Sequence, residues 1–194
     1  MTTPPAGTPP VVSLVGRRRP VLITGGAGFI GCHLADRIAG QGEPVLVYDT
    51  LARAGVEANL SWLRERHPGL VSFARADVRD ADAVREAVEG AEAVFHMAAQ
   101  VAVTTSMTDP AEDLSINLMG TFNVLQALRR RRQPCVFAST NKVYGKLAGV
   151  DLALQGDAWI APAQAGGVSE RQPLDFCTPY GCSKGAADQY VLDH

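Results

Sequence analysis

Val21-Leu22-Ile23-Thr24-Gly25-Gly26-Ala27-Gly28-Phe29-Ile30-Gly31 holds a buried-strand run, a glycine-rich turn and the first residues of a helix. The strand run is continuously apolar. The helix that follows carries Ile30, Leu34 and Ile38 on one face and is closed by Gly40 and Gly42. Between them the glycines match two spacings at once, Gly26-x-Gly28-x-x-Gly31 and Gly25-x-x-Gly28-x-x-Gly31. Both meet one demand. The chain must turn sharply, leave space, and present backbone N–H groups at a helix N-terminus to an anion such as a pyrophosphate. A glycine-rich stretch alone is weak, because turns also use glycine. Here a strand precedes it and a helix follows, the context of a dinucleotide site.

Asp49 adds to this. It ends the next apolar run, Val45–Tyr48, about twenty residues further on, where a carboxylate accepts hydrogen bonds from a ribose diol and repels a 2′-phosphate. NAD is therefore expected rather than NADP. Arg53 nearby is a complication, since an arginine could serve a phosphate or be an exposed loop residue. Phe29, Ile30 and Gly31 begin the helix beside the cofactor. Asp77, followed by Val78, ends a third run and either meets the adenine or is an ordinary turn aspartate.

The alternation continues along the chain. A helix is expected around 56–66, a strand near 71–74, a helix near 80–89 and a strand at 93–96. One long helix should then run from Asp109-Pro110, a good cap with proline in the first turn, to about Arg131. Val136-Phe137-Ala138 is a fifth strand, segment 146–175 lacks pattern, and Thr178-Pro179 opens a last helix. Continuous apolar strands alternating with helices argue an α/β fold: a Rossmann-like, doubly wound parallel sheet. Residues 1–18 are expected to be a flexible Pro-rich tail, and 19–194 the NAD-binding domain.

With 46% hydrophobic and 20% charged residues and a net charge of −2, the chain has the composition of a soluble globular domain. No global field favours nucleic acid or an anionic membrane, and no apolar run is long enough for a membrane span. Arg129–Arg132 suits the carbonyl end of a helix. Cys32, Cys135, Cys177 and Cys182 form no CxxC pair and have no histidine at metal spacing. No metal is expected. The thiols read as packing groups in a reducing, cytoplasmic compartment.

Two tyrosines compete as a base. Tyr180 and Lys184 stand one helical turn apart, and an ammonium at that spacing favours the phenolate. The same lysine can hold a nicotinamide ribose. Such a base can take a proton from an alcohol or sugar hydroxyl while NAD takes hydride from the carbon. Tyr144 has no such partner and reads as packing beneath its loop. Thr140, at the carboxyl end of the fifth strand, is the second hydroxyl donor or merely a turn residue.

Together these motifs resemble the extended short-chain dehydrogenase/reductases, the NAD-dependent epimerase/dehydratase family, from about Arg19 to His194. The strings that carry the resemblance are 49–53, 59–63, 100–106, Ser139-Thr140-Asn141-Lys142-Val143-Tyr144-Gly145 and 180–190. The resemblance implies that Thr140, Tyr180 and Lys184 are the catalytic group, that Asn117 supports them, and that Ala98 and Ala99 line the cofactor. By itself Asn117 reads equally as a buried structural amide. Within the family the likeness is to members that epimerise C2 of a CDP-hexose through a 2-keto intermediate with no net redox. Family members that eliminate water carry Asp-Glu directly after the threonine; here those positions are Asn141 and Lys142, so a carboxylate base is missing. Lys142 either meets substrate phosphate or is an exposed loop lysine. The family also implies further strands, a C-terminal substrate domain and a homodimer or higher oligomer. The 194 residues hold no counterpart of that domain, so the chain is expected to be an N-terminal part of an epimerase or a truncated product of doubtful activity alone. Its fifth strand would leave an unpaired edge. Segment 146–175 is expected to be either a substrate-facing lid or a poorly ordered excursion.

Overall fold

In the computed structural model, which describes residues 18–164 and 166–194, five parallel strands form one sheet. They are β1 (Val21–Thr24), β2 (Val45–Asp49), β3 (Val71–Arg75), β4 (Ala93–His96) and β5 (Cys135–Phe137), in the spatial order β3-β2-β1-β4-β5. Apart from Arg18, the expected tail lies outside the described residues. Register is set by Val21 opposite both Val45 and Ala93. The order reverses between β1 and β4, so the chain leaves β1 and β4 toward opposite sides of one crevice, the place where open α/β sheets bind ligands.

Side-chain alternation along each strand explains the layers. Leu22, Tyr48 and Val94 face helices α3 (Ala81–Glu89) and α6 (Gly120–Leu128), where Val84, Val88, Val124 and Leu125 complete one core. Ile23, Val45 and Val47 face α1 (Phe29–Ala39) and α2 (Val56–Arg66), packing with Ala35, Leu60 and Leu63 in the other. Both cores need apolar residues at successive positions, which is why the runs are continuous rather than alternating. Each fully buried Leu, Ile or Val contributes about 1.5–3 kcal/mol.

Three expectations are corrected. The long helix is continuous from Pro110 to Leu128 but not uniform: α5 (Pro110–Leu114) passes through a π turn at Ser115–Met119 into α6, and a separate short helix, α4 (Val103–Thr108), precedes it. Segment 146–175 carries a short antiparallel hairpin, β6 (Ala153–Gln155) with β7 (Ala158–Ile160), exposed along both strands. The cysteines are not all packing groups. Cys32 is buried, but Cys182 is exposed on α7 (Pro179–Asp193).

The hairpin segment is pinned at its base. Asp175 donates its N–H to the Val143 carbonyl at 3.0 Å. Gly145 (φ +59°) lies so close to Asp175 that an added Cβ would fall 1.8 Å from the Asp175 carbonyl oxygen. Only glycine tolerates both that backbone conformation and that approach. Among the described residues β5 pairs with β4 alone, and Val136 is half exposed at this edge.

Candidate functional site

A cleft of about 760 Å³ opens at the carboxyl ends of β1 to β4. Gly25, Gly28, Phe29, Ile30 and Gly31 line it from the first turn and α1, Asp49 from the end of β2, Asp77 and Val78 from beyond β3, and Ala98 and Ala99 from beyond β4. The residues expected from sequence to hold NAD, other than Tyr180 and Lys184, therefore face one cavity. Helix α1 starts there with no side chain bonded at its cap and no acidic residue in its first turn. Its N–H groups and dipole are left for an anion. Gly31 makes the close turn possible: a Cβ would sit 2.3 Å from the Gly25 carbonyl oxygen.

The Asp49 carboxylate is aimed by two backbone donors, Ala27 N–H at 3.1 Å and Leu51 N–H at 2.9 Å. Exposed Arg53 lines the same cleft. Asp77 is gripped by Arg79, with Nη2 at 2.6 Å and Nε at 3.0 Å, and this guanidinium holds its carboxyl below the usual range. Arg79, also on the cleft wall, was not legible in the sequence. Tyr48 fixes the loop after β3 by donating its hydroxyl to the Asp77 carbonyl at 2.7 Å, and burial pushes the phenol up to about 12.

A second cluster stands at the carboxyl end of β5, and none of its members lines the cleft. Thr140 caps a 3₁₀ turn, Asn141–Tyr144, its Oγ accepting the Lys142 N–H at 3.2 Å. Asn141 and Lys142 are exposed and Tyr144 is half-buried. Tyr180 is buried in the first turn of α7, its N–H donating to Ser106 Oγ at 3.2 Å. Gly181 lets this turn press on the Lys142 carbonyl, which would stand 3.2 Å from an added Cβ. Lys184 is only 3% exposed. Its ammonium donates to the Ala138 carbonyl at 2.7 Å and lies 3.9 Å from the Phe137 ring centroid, a cation–π contact. Burial pulls its pKa down to about 8, with Asp188 and Asp113 opposing that pull.

Asn117 joins the two clusters. Its side chain exchanges hydrogen bonds with the Gln100 backbone on the cleft wall, accepting at 2.9 Å and donating at 3.1 Å. It also reaches Ser183 Oγ at 3.2 Å, next to Lys184. The π turn widens the helix at this residue. Beneath it, His96 is buried between Thr24 (Nδ1 to Oγ1, 2.7 Å) and Thr121 (Nε2 to Oγ1, 3.0 Å). Thr121 donates its own hydrogen to the Asn117 carbonyl at 2.6 Å. It must therefore accept from Nε2–H, so Nδ1 accepts from Thr24. The imidazole is neutral, with one tautomer selected by its neighbours. Thr24 and Ser183 lie inside the motif strings without a role of their own there, and His96 and Thr121 lie outside them. Each reads there as an ordinary strand or helix residue.

Burial, with Lys184 adding to it, pushes the His96 pKa down to about 3. In the unfolded chain it returns to about 6.5. The unfolded state thus binds this proton first, and the contribution of neutral His96 is complete above about pH 6.5 and lost progressively toward about pH 3. Asp77, held below the usual carboxylate range by Arg79, loses its stabilising charge only at more acidic pH. Urea midpoints are therefore expected to fall between about pH 6.5 and about pH 4.5 in the natural chain. A His96→Gln variant should show a flatter profile over that window.

Residues 21–194 match the model of the NAD dependent epimerase/dehydratase family. The chain belongs to that family. CDP-paratose 2-epimerase of Salmonella typhi is 41% identical over 178 residues, covering 90% of this chain and 52% of the relative. dTDP-glucose 4,6-dehydratase of Mycolicibacterium smegmatis is 34% identical, covering 88% and 47%. The UDP-glucose 4-epimerase of Thermus thermophilus, solved in complex with NAD, superposes with a TM-score of 0.69 at 34% identity, covering 90% of this chain and 50% of that one. The chain thus spans about half the length of the curated relatives it matches. Members of the epimerase/dehydratase family are enzymes and NAD is their cofactor, as the motifs indicated. Among the described residues no helix is long and apolar enough to cross a membrane.

Proposed function

We propose that this chain supplies the NAD-binding and proton-transfer machinery of a nucleotide-sugar epimerase acting at C2 of a CDP-hexose. The observation that carries this reading is the buried Lys184 one turn from Tyr180, beside a Thr140 that is followed by Asn141 and Lys142 rather than by acids. The residues of the cleft fit NAD: the open start of α1 suits the pyrophosphate and the aimed Asp49 carboxylate suits the adenosine ribose. When bound there, NAD would supply the hydride acceptor for the sugar carbon and, as NADH, the donor for its return.

The chain's own groups handle the proton. The Tyr180 oxygen takes it from the C2 hydroxyl as the carbonyl forms and gives it back as the carbonyl is reduced. Lys184, cationic below about pH 8, keeps a positive charge one helical turn from Tyr180 through that cycle. The Thr140 hydroxyl hydrogen-bonds the reacting oxygen. Asn141 and Lys142 contribute no carboxylate, so elimination of water lacks its base and the 2-keto sugar returns to alcohol. The similarity to CDP-paratose 2-epimerase supports the choice of a CDP-hexose. The four cysteines are unpaired, which fits a reducing, cytoplasmic setting. A homodimer or a higher homo-oligomer is the assembly that the family suggests.

Titrating the chain with NAD and with a CDP-hexose in a calorimeter, alongside the near-ultraviolet absorbance of NADH, tests the reading. Binding of both, with epimerised product and no net NADH, is expected. Accumulating NADH would instead mark a dehydrogenase, and NAD binding without sugar-nucleotide binding would mark a noncatalytic NAD-binding protein.

A further inference from the structure

We infer that Asp113 is a positioning residue for Lys184: its buried carboxylate tethers α7 through Ser183 and keeps the lysine cationic where water is excluded. The meaning of a cationic Lys184 rests on the proposed function, whereas the tether does not.

Asp113 lies in the last turn of α5 and is fully buried. Both of its oxygens are engaged. Ser183 Oγ donates to Oδ2 at 2.5 Å, and Asn117 Nδ2 donates to Oδ1 at 3.1 Å. Ser183 has one hydrogen and two acceptors in reach. The Tyr180 carbonyl is farther, at 3.2 Å, so the carboxylate takes the hydrogen. A buried carboxylate held only by neutral donors would be costly, because its charge still needs compensation. The buried cation beside Ser183 is Lys184.

Among the other groups facing Lys184, Asp188 also opposes its burial, and more strongly than Asp113, but it makes no tether to Ser183. On α7, Asp188 stands one turn on and is half-buried, and Tyr180 stands one turn before. On α5 the second acid, Glu112, is exposed, as is Lys142 on the 3₁₀ turn, which also carries half-buried Tyr144. Helices α4 and α6 and the π turn carry no charged residue. On β4, His96 is neutral and would oppose the lysine if charged. Asp113 is therefore the fully buried anion in this environment. Together with the partly exposed Asp188, it opposes the burial that pulls the Lys184 pKa down.

The chain has three lysines, and Lys142 and Lys146 are exposed references. ¹³Cε-lysine NMR on the 194-residue chain can therefore follow Lys184 directly. Asp113→Asn is expected to lower the Lys184 titration midpoint by about one unit. A swap, Asp113→Asn with Asn117→Asp, keeps one carboxylate in the same pair and is expected to hold the midpoint near the natural value; it also serves if Asp113→Asn does not fold. An unchanged midpoint in Asp113→Asn, or a swap lowered by that same unit, would overturn the inference. Adding NAD to the natural chain should separately perturb the Lys184 signal. Failure of that arm counts against the proposed function and leaves the Asp113 result standing.

Discussion

Tyr180→Phe is expected to slow epimerisation by about 10²–10⁴-fold, the usual contribution of a positioned general base, while NAD affinity stays within a few-fold. The change removes one oxygen from a side chain that is only 8% exposed, and the residue's N–H still donates to Ser106 Oγ, so packing is retained. Single-turnover measurements with saturating sugar nucleotide would isolate the loss in the chemical step. A variant that retains full turnover would remove Tyr180 from the proton pathway and return Tyr144, half-buried in the neighbouring 3₁₀ turn, to consideration. Conversely, a large loss of NAD affinity would show that the phenol chiefly holds the cofactor.

Gly31→Ala should weaken NAD binding about a hundredfold, equivalent to an overpacking cost near ~3 kcal/mol. Its Cβ would meet the Gly25 carbonyl oxygen at 2.3 Å and the Gly26 Cα at 2.7 Å, both backbone atoms that cannot rotate aside. Helix α1 would have to lift from the turn, carrying its N–H groups away from the cleft. Gly166→Ala is the matched control, since a Cβ there meets nothing within 4 Å. Fluorescence titration with NAD reads the difference, and circular dichroism checks that the sheet survives. Unaltered NAD affinity in Gly31→Ala would mean that the pyrophosphate does not sit at the start of α1.

Much of this was legible in the sequence because the central strands are buried on both faces. Val21-Leu22-Ile23 and Val45-Leu46-Val47 must be apolar without interruption, and the glycines between the first strand and α1 are forced by backbone contacts. The same logic fails where burial is partial. Helix α4, Val103–Thr108, is rich in Thr and Ser and has no apolar stripe to show its period. Neither strand of the hairpin has a buried face, so no alternation marks them. The π turn carries no proline or internal glycine; at its centre Asn117 bonds Gln100 and Ser183, which are distant in sequence. Asp113 was hidden for a related reason. An acid near a helix start reads as a partner of the macrodipole, and only tertiary structure shows that it is sealed from water. Its spacing of four from Asn117 was the available signal.

The pinning of Gly145 to Asp175 has an evolutionary consequence. Because both ends of the hairpin segment are stapled at its root, its length is uncoupled from the spacing of Thr140 and Tyr180. Doubling such an excursion costs only about 0.6 kcal/mol in closure entropy. Lineages can therefore exchange the whole arm, trimming or extending what it presents, without realigning the hydroxyls that flank it.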